Sequence, residues 1–238
     1  MSAPRIAMVL AAGLGKRMRP LTDATPKPLI EVAGRTLLDR GLDALAAAGV
    51  EAAVVNVHHL AEQVEAHAVG RVAPRIVISD ERERLLDSAG GIVNALPLLG
   101  ADPFFVLNAD TFWLDAGEPN LKRLALAWND EAMDILLMLA DPAHATGHSG
   151  STDFLVDRAG RLTRAAGHSD GLIYAGAAIV HPRIFAGLAT EPRSLNLDFD
   201  RAIAAGRLFG MEMDGHWITV GTPDAISAAE AAIVRQTG

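Results

Sequence analysis

Two glycines and three cations crowd residues 13–19, where Gly13, Gly15, Lys16, Arg17 and Arg19 sit close together, and Lys27 follows between Pro26 and Pro28. Glycine lets backbone amides approach a ligand closely. Arginine and lysine bring fixed positive charge. Pro28 biases Lys27 toward an extended backbone, so its ammonium is presented with little backbone freedom left to lose. The combination describes a rigid cationic cradle, and a phosphate is an anion that suits it. Two known phosphate motifs do not fit. The dinucleotide pattern G-x-G-x-x-G fails at Met18, and the P-loop fails because Arg17 follows Lys16 where Ser or Thr is required. Other chemistry is weaker. His144 and His148 are four apart, but their Gly/Ser-rich surroundings offer no helix to align them on a metal. Gly147-His148-Ser149-Gly150 is not the G-x-S-x-G elbow of a serine hydrolase.

These residues need elements to hold them. Residues 6–10 form a short apolar run closed by glycines, which predicts a buried strand. Leu37, Leu38, Leu42 and Leu45 share one face of a helix expected over residues 36–48, ended by Gly49. Val54, Val55 and Val57 predict a second strand, 60–69 a helix, 76–78 a strand, 89–99 a helix with Gly90 and Gly91 at its start, and 104–107 a strand that stops at Asn108-Ala109-Asp110. Residues 121–128 continue as helix and 135–139 as strand. Strands alternating with helices predict βαβ units around a mainly parallel sheet. Ligands of such sheets sit beyond the carboxyl ends of the strands, so Gly13 to Arg17 and Asp110 are expected on one rim. After Ala140 a polar loop intervenes, then strands at 154–156, 172–179 and 208–213, short helices at 182–188 and 199–205, and a closing helix at 223–236. The reading is one domain over 1–238, with a first part to 140 and a smaller part over 141–238.

Composition limits the function classes. The 238 residues are half hydrophobic and carry a formal net charge of −8, which disfavours a nonspecific nucleic-acid binder and makes the local cations stand out. There is no cysteine, so disulfides, thiolate metal sites and cysteine nucleophiles are excluded, and a reducing cytoplasm fits. The apolar run before Lys16 is too short for a leader segment, and no run reaches the ~20 apolar residues of a membrane span.

The stretch LAAGLGKRMRPLTDATPKPL over residues 10–29 resembles the signature of the sugar-1-phosphate nucleotidyltransferases. Further matches are SAGGI (88–92), LNAD (107–110), YAG (174–176) and VGTPD (220–224), so the resemblance spans nearly the whole chain. NVHHLAEQV and LNADTFW are most similar to the small bacterial N-acetylmuramate-1-phosphate uridylyltransferase branch. Mannose-, glucose- and heptose-1-phosphate enzymes share the same core. The resemblance implies a three-layer Rossmann-like α/β fold with a smaller sugar-binding portion. It implies transfer of a nucleotidyl group from a nucleoside triphosphate, UTP by preference, to a sugar 1-phosphate, N-acetylmuramate 1-phosphate by preference, with Mg²⁺ as cofactor. It implies no nucleic-acid or membrane partner and a cytoplasmic place in cell-wall sugar recycling. No second activity is expected, since the chain lacks the long extension that adds a β-helix acyltransferase in some relatives.

Carried over position by position, Arg17, Lys27 and Asp110 would be catalytic. Arg17 would hold the departing β- and γ-phosphates, Lys27 the α-phosphate and the sugar phosphate, and Asp110 the metal. Ala11, Ala12, Gly13, Gly15, Lys16, Ser88, Gly90 and Gly91 would bind the nucleotide. Tyr174 and Gly176 would hold the sugar, with Asp153 and Asn56 beside them and His59 on the same rim. Asp80 or Glu81, just before SAGGI, is a further candidate. One position departs from the pattern: Thr219 stands where relatives carry a second metal-binding aspartate. Asp214 or Asp224 could replace it, and a noncatalytic nucleotide-sugar-binding regulator is the alternative that this departure favours.

Overall fold

The computed structural model describes residues 3–237. In chain order the elements are β1 (Ile6–Leu10), α1 (Leu37–Ala47), β2 (Ala52–Val57), α2 (Ala61–Ala68), β3 (Arg75–Asp80), α3 (Asp87–Leu99), β4 (Phe104–Asn108), β5 (Thr111–Asp115), α4 (Asn120–Ala127) and β6 (Ile135–Ala140). They continue with β7 (Ala145–Thr146), β8 (Phe154–Val156), β9 (Leu162–Arg164), β10 (Ile173–Val180), α5 (Asn196–Ala204), β11 (Leu208–Glu212), β12 (Gly215–Thr219) and α6 (Asp224–Thr237). Seven strands form the central sheet in the order β11-β6-β10-β4-β1-β2-β3. Only β10 runs against its neighbours β4 and β6; the other pairs are parallel.

Alternation along each strand divides the core into two layers. Ala7, Val9, Val55, Phe105 and Leu107 pack under α1, α2 and α4, through Leu38, Leu42, Val64, Leu121 and Leu124. Met8, Val54, Phe104 and Val106 face the other way, onto Ile92 and Leu99 of α3 and Phe199 of α5. Both faces are therefore covered, which is why these strands read as unbroken apolar runs. The layers are helix, sheet, helix.

A third core explains how the signature loop is held. Met18, Ile30 and Val32 pack with Phe112 of β5, Ile218 of β12, Val220, and Ala225, Ala229 and Ala232 of α6. The last helix thus closes over the first loop. The small sheet β5-β12-β7 supplies the floor, with Thr219 paired to Thr111.

Some elements differ from expectation. The helix expected over 182–188 is a short 3-10 turn at Pro182–Phe185, ended as the chain turns at Gly187, whose φ is +75°. Helix α5 starts at Asn196 rather than Phe199. Strands β5 and β12 are additional; they pair with each other across about a hundred residues, so neither announces itself locally.

Candidate active site

Residues from the ends of β1, β2 and β4 enclose a cavity of about 530 Å³, lined among others by Ala11, Ala12, Gly13, Lys27, Asn56, Glu81, Ser88 and Asp110. The loop after β1 and Asp110 after β4 do share one rim. At its centre Lys27 Nζ donates to Asp110 Oδ2 at 2.7 Å. Lys27 is nearly buried, with its side chain 12% exposed, whereas Asp110 keeps 36% open to the cavity.

The loop after β1 is rigid for identifiable reasons. Asn56 Oδ1, at the end of β2, accepts from the N–H of Ala11 at 2.6 Å and of Ala12 at 3.3 Å. Asn56 Nδ2 donates to Glu81 Oε1 at 2.7 Å, and Leu86 N donates to Glu81 Oε2 at 3.1 Å. Both glutamate oxygens thus accept, and burial pushes the Glu81 carboxyl up while these bonds pull against it. Gly15 adopts φ +59°, and a β-carbon there would lie 2.7 Å from Thr22 Cγ2. Thr22 Oγ1 donates to the Gly15 carbonyl, and His59 Nε2 bonds to the Thr22 carbonyl. Asn56, Glu81, Thr22 and His59 therefore fix the cradle. Among these, Thr22 carried no functional signal beyond its place in the signature.

Several expected ligand residues have a different task. Asn56 was expected beside the sugar, but it lines the larger cavity with its amide committed to the loop and to Glu81. Gly90 and Gly91 do not line either cavity. The Gly90 position is closed by the Glu191 carbonyl, and a β-carbon at Gly91 would sit 2.6 Å from Glu81 Oε1 and 2.8 Å from Asn56 Nδ2. The N–H groups of Ala89 and Gly90 both donate to the Arg193 carbonyl, so this loop, rather than open space, caps the start of α3. Gly15 stands behind the wall as a turn residue. Lys16 and Arg17 are exposed on a short 3-10 turn, Lys16–Met18, with the Arg17 guanidinium against Gly221.

A second cavity of about 220 Å³ adjoins the first and shares Leu10, Ser88 and Asn108 with it. Asp153, Phe154, Arg164, Tyr174, Leu195, Asn196 and Phe199 complete its lining. Asp153 Oδ2 accepts from Tyr174 N at 2.8 Å. The Tyr174 ring meets Phe199 edge-on, and its hydroxyl is buried without a partner. Burial, then the negative charge of Asp110, pushes this phenol up, so it is a neutral donor. Gly176 lies outside the lining, in an irregularity where the β10–β6 register shifts between Tyr174 and Ala178. Its φ is +79° and Thr111 and Asn108 crowd the place of a β-carbon. The carbonyl before it, of Ala175, accepts from Thr111 Oγ1 and Trp217 Nε1. In this structure Gly176 shapes the strand at the register shift.

Thr219 ends β12 directly across from Thr111, and the next residue, Val220, donates its N–H to the Asp110 carbonyl at 3.0 Å. The departure from the family pattern therefore falls beside Asp110. Asp214 does not fill it: it precedes β12, roughly 17 Å of strand from Thr219, and lines a different cavity with Asp141, His144 and His216. Asp224 is exposed in the first turn of α6. His144 lies near Asp141, and His148 packs against Trp217 at 5.8 Å between ring centres.

Residues 7–182 match the family model described as MobA-like NTP transferase domain. The chain is 47% identical over 236 residues to the N-acetylmuramate alpha-1-phosphate uridylyltransferase of Caulobacter vibrioides, covering 97% of this chain and 98% of that protein. It is 35% identical over 229 residues to the enzyme of the same name from Neisseria meningitidis serogroup B, covering 94% of this chain and 96% of that protein. The crystal structure of HddC from Yersinia pseudotuberculosis superposes with a TM-score of 0.77 at 22% identity, over 95% of this chain and 99% of that one, so the fold is shared. The chain belongs to the MobA-like NTP transferase family, as a nucleotidyltransferase of the sugar-1-phosphate branch.

Proposed function

We propose that this enzyme transfers the uridylyl group of UTP to N-acetylmuramate 1-phosphate, releasing pyrophosphate and forming UDP-N-acetylmuramate. The observation that carries this reading is the Lys27–Asp110 pair within the larger cavity, whose lining adjoins a second, polar cavity through Leu10, Ser88 and Asn108. The choice of base and sugar is supported by the high identity to the Caulobacter vibrioides uridylyltransferase along almost its whole length.

In this reading the larger cavity takes the triphosphate and the smaller takes the sugar. A phosphate oxygen of the sugar 1-phosphate attacks the α-phosphorus, the bond from that phosphorus to the bridging oxygen breaks, and pyrophosphate departs. The chemistry needs alignment and charge neutralisation and no protein nucleophile. Gly13, with open space where a β-carbon would stand, lets the triphosphate approach the loop backbone. Lys27 is poised to exchange its bond to Asp110 for the α-phosphate and the incoming phosphate. Arg17, exposed and without an ion-pair partner among the described residues, is free to meet the β- and γ-phosphates. Asn56 and Glu81 hold the loop still, so little reorganisation is left for the transition state.

Magnesium fits the donor set. Asp110 offers a hard carboxylate oxygen toward the cavity, and since no group of three or more His, Cys, Asp or Glu side chains gathers among the described residues, the protein's share of the ion's shell would be that carboxylate. Such an ion keeps most of its shell as phosphate and water oxygens, and when bound it supplies further neutralisation of the triphosphate. Asp110 would hold it, with Thr219 as a neutral neighbour. No helix among the described residues is long and apolar enough to cross a membrane. We place the reaction in the cytoplasm, in recycling of cell-wall sugars.

The test is product analysis by ³¹P NMR after mixing enzyme, UTP, N-acetylmuramate 1-phosphate and Mg²⁺. A diphosphate-sugar doublet growing in step with inorganic pyrophosphate is expected. No product from this pair but turnover with another sugar 1-phosphate or nucleotide would keep the reaction and change the substrates, and no product from any pair, with UTP still bound, would favour the nucleotide-sugar regulator instead.

A further inference from the structure

We propose that Arg164 reads a carboxylate on the sugar substrate and so selects an acidic sugar 1-phosphate over a neutral one; this rests on the nucleotidyl-transfer reading above. Arg164 is the only cationic side chain lining the smaller cavity. It ends β9, directly across from Phe154 of β8 in the hairpin that carries Asp153 at its start.

The guanidinium is fixed on three sides. Its Nε donates to Asp200 Oδ1 at 2.8 Å, and Nη2 donates to the backbone and side-chain oxygens of Asn196, each at 3.1 Å. Its plane lies over Phe154 at 4.8 Å and near Phe199 at 5.9 Å from the ring centres. The remaining nitrogen, Nη1, makes no hydrogen bond to any described residue. Two N–H donors of the guanidinium thus have no protein partner, and with the Arg164 side chain 35% exposed at the cavity lining they are open to water or to a ligand. An arginine held in this way is suited to an anionic oxygen acceptor, because charge-assisted bonds of fixed geometry are the strong ones.

A neutral sugar gives this group little to do. Ring hydroxyls find the Asp153 carboxylate and the Asn108 amide in the same lining. The substrate phosphate belongs with Lys27, at the other side of the shared boundary. Asp200 does not use up the arginine's charge, since its side chain is 58% exposed and screened by water. A carboxylate borne on the sugar, as in the lactyl ether of N-acetylmuramate, is the group that would replace water on Nη1 with a charge-assisted bond.

The experiment is steady-state kinetics at saturating UTP with N-acetylmuramate 1-phosphate and with N-acetylglucosamine 1-phosphate, which lacks the lactyl group. Wild type, Arg164→Met and Arg164→Lys are compared. In Arg164→Met, kcat/KM for the acidic sugar is expected to fall about 100-fold, chiefly through KM, while the neutral sugar stays within roughly threefold. Arg164→Lys keeps the charge but not the fork, and its preference for the acidic sugar is expected to narrow about 10-fold. Equal losses for both sugars would reduce Arg164 to a clamp on α5 and overturn the proposal, as would an unchanged ratio in either variant. The neutral sugar also reports folding, and should Arg164→Met fail to fold, the ratio in Arg164→Lys decides. The wild-type row alone decides the substrate reading: turnover confined to a neutral sugar removes that reading and the proposal together, whereas an acidic preference that survives in the variants removes only the proposal.

Discussion

The larger cavity joins the loop run Leu10 to Gly13 to Lys27, Asn56, Glu81 and Asp110, whereas the smaller collects Asn108, Asp153, Arg164, Tyr174 and Asn196 and holds no such run. The first presents loop backbone, held by Asn56, and a lysine paired with Asp110. The second presents side chains, two of which have donors left unpartnered, the Tyr174 hydroxyl and Arg164 Nη1. Backbone contacts serve a triphosphate that differs little from one nucleotide to another. Side-chain contacts can be changed one at a time to suit a different sugar. The comparison thus separates a shared reaction from a particular substrate.

The strongest way to break it is Lys27→Ala. Turnover should fall by at least about 10³-fold, with little change in melting temperature, because Lys27 makes one part-exposed ion pair and carries no core packing. Wild-type turnover in that variant would remove the larger cavity's claim to the reaction. Second is the wall between the cavities. Asp198 is fully buried and holds Arg193 through two bonds and Arg201 through one. Arg193 in turn caps α3 with its carbonyl. Asp198→Ala should cost about 1–2 kcal/mol in denaturant unfolding, since the lost carboxylate is buried while Arg193 and Arg201, 23% and 51% exposed, stay partly solvated; both substrates' KM values should rise together. A rise in only one would show the two cavities to be independently built.

Tyr174→Phe sharpens the contrast on the sugar side. Removing an unpartnered buried hydroxyl should leave stability unchanged or raise it by up to about 1 kcal/mol, while KM for the sugar 1-phosphate rises roughly 10-fold and KM for UTP does not move. Equal shifts in both constants would assign Tyr174 to packing alone. The smallest effect is expected from Thr219→Asp. A second carboxylate beside Asp110 should lower the half-saturating Mg²⁺ concentration by a few-fold, about 0.5–1 kcal/mol. An unaltered magnesium titration would place Thr219 away from the metal.

The same division governs what could be read in advance. The loop after β1 is legible because its chemistry is contiguous: glycines, cations and prolines lie within twenty residues, and the strand before it has an unmistakable apolar run. The rim shared by Gly13 and Asp110 follows from parallel topology alone. The roles of Gly90, Gly91 and Gly176 were not legible. A glycine pattern looks the same whether the space it leaves is filled by a ligand or, as here, by Glu191, by Glu81 with Asn56, or by Thr111. Asn56 looked like a rim residue because its strand ends there, yet its amide is spent on Ala11 and Ala12. Arg164 gave no signal, since a cation in a short hairpin is ordinary until α5 and Phe154 are seen to hold it. The antiparallel insertion of β10 between β4 and β6 is a property of long-range pairing and leaves no local mark.

The most direct measurement is the initial rate of pyrophosphate release with Mg²⁺ across a grid of the four nucleoside triphosphates and the 1-phosphates of N-acetylmuramate, N-acetylglucosamine, glucose, mannose and heptose. The account predicts one dominant cell, UTP with N-acetylmuramate 1-phosphate. A dominant cell elsewhere would contradict the substrate assignment while keeping the reaction, and silence across the grid with nucleotide still bound would contradict the reaction itself.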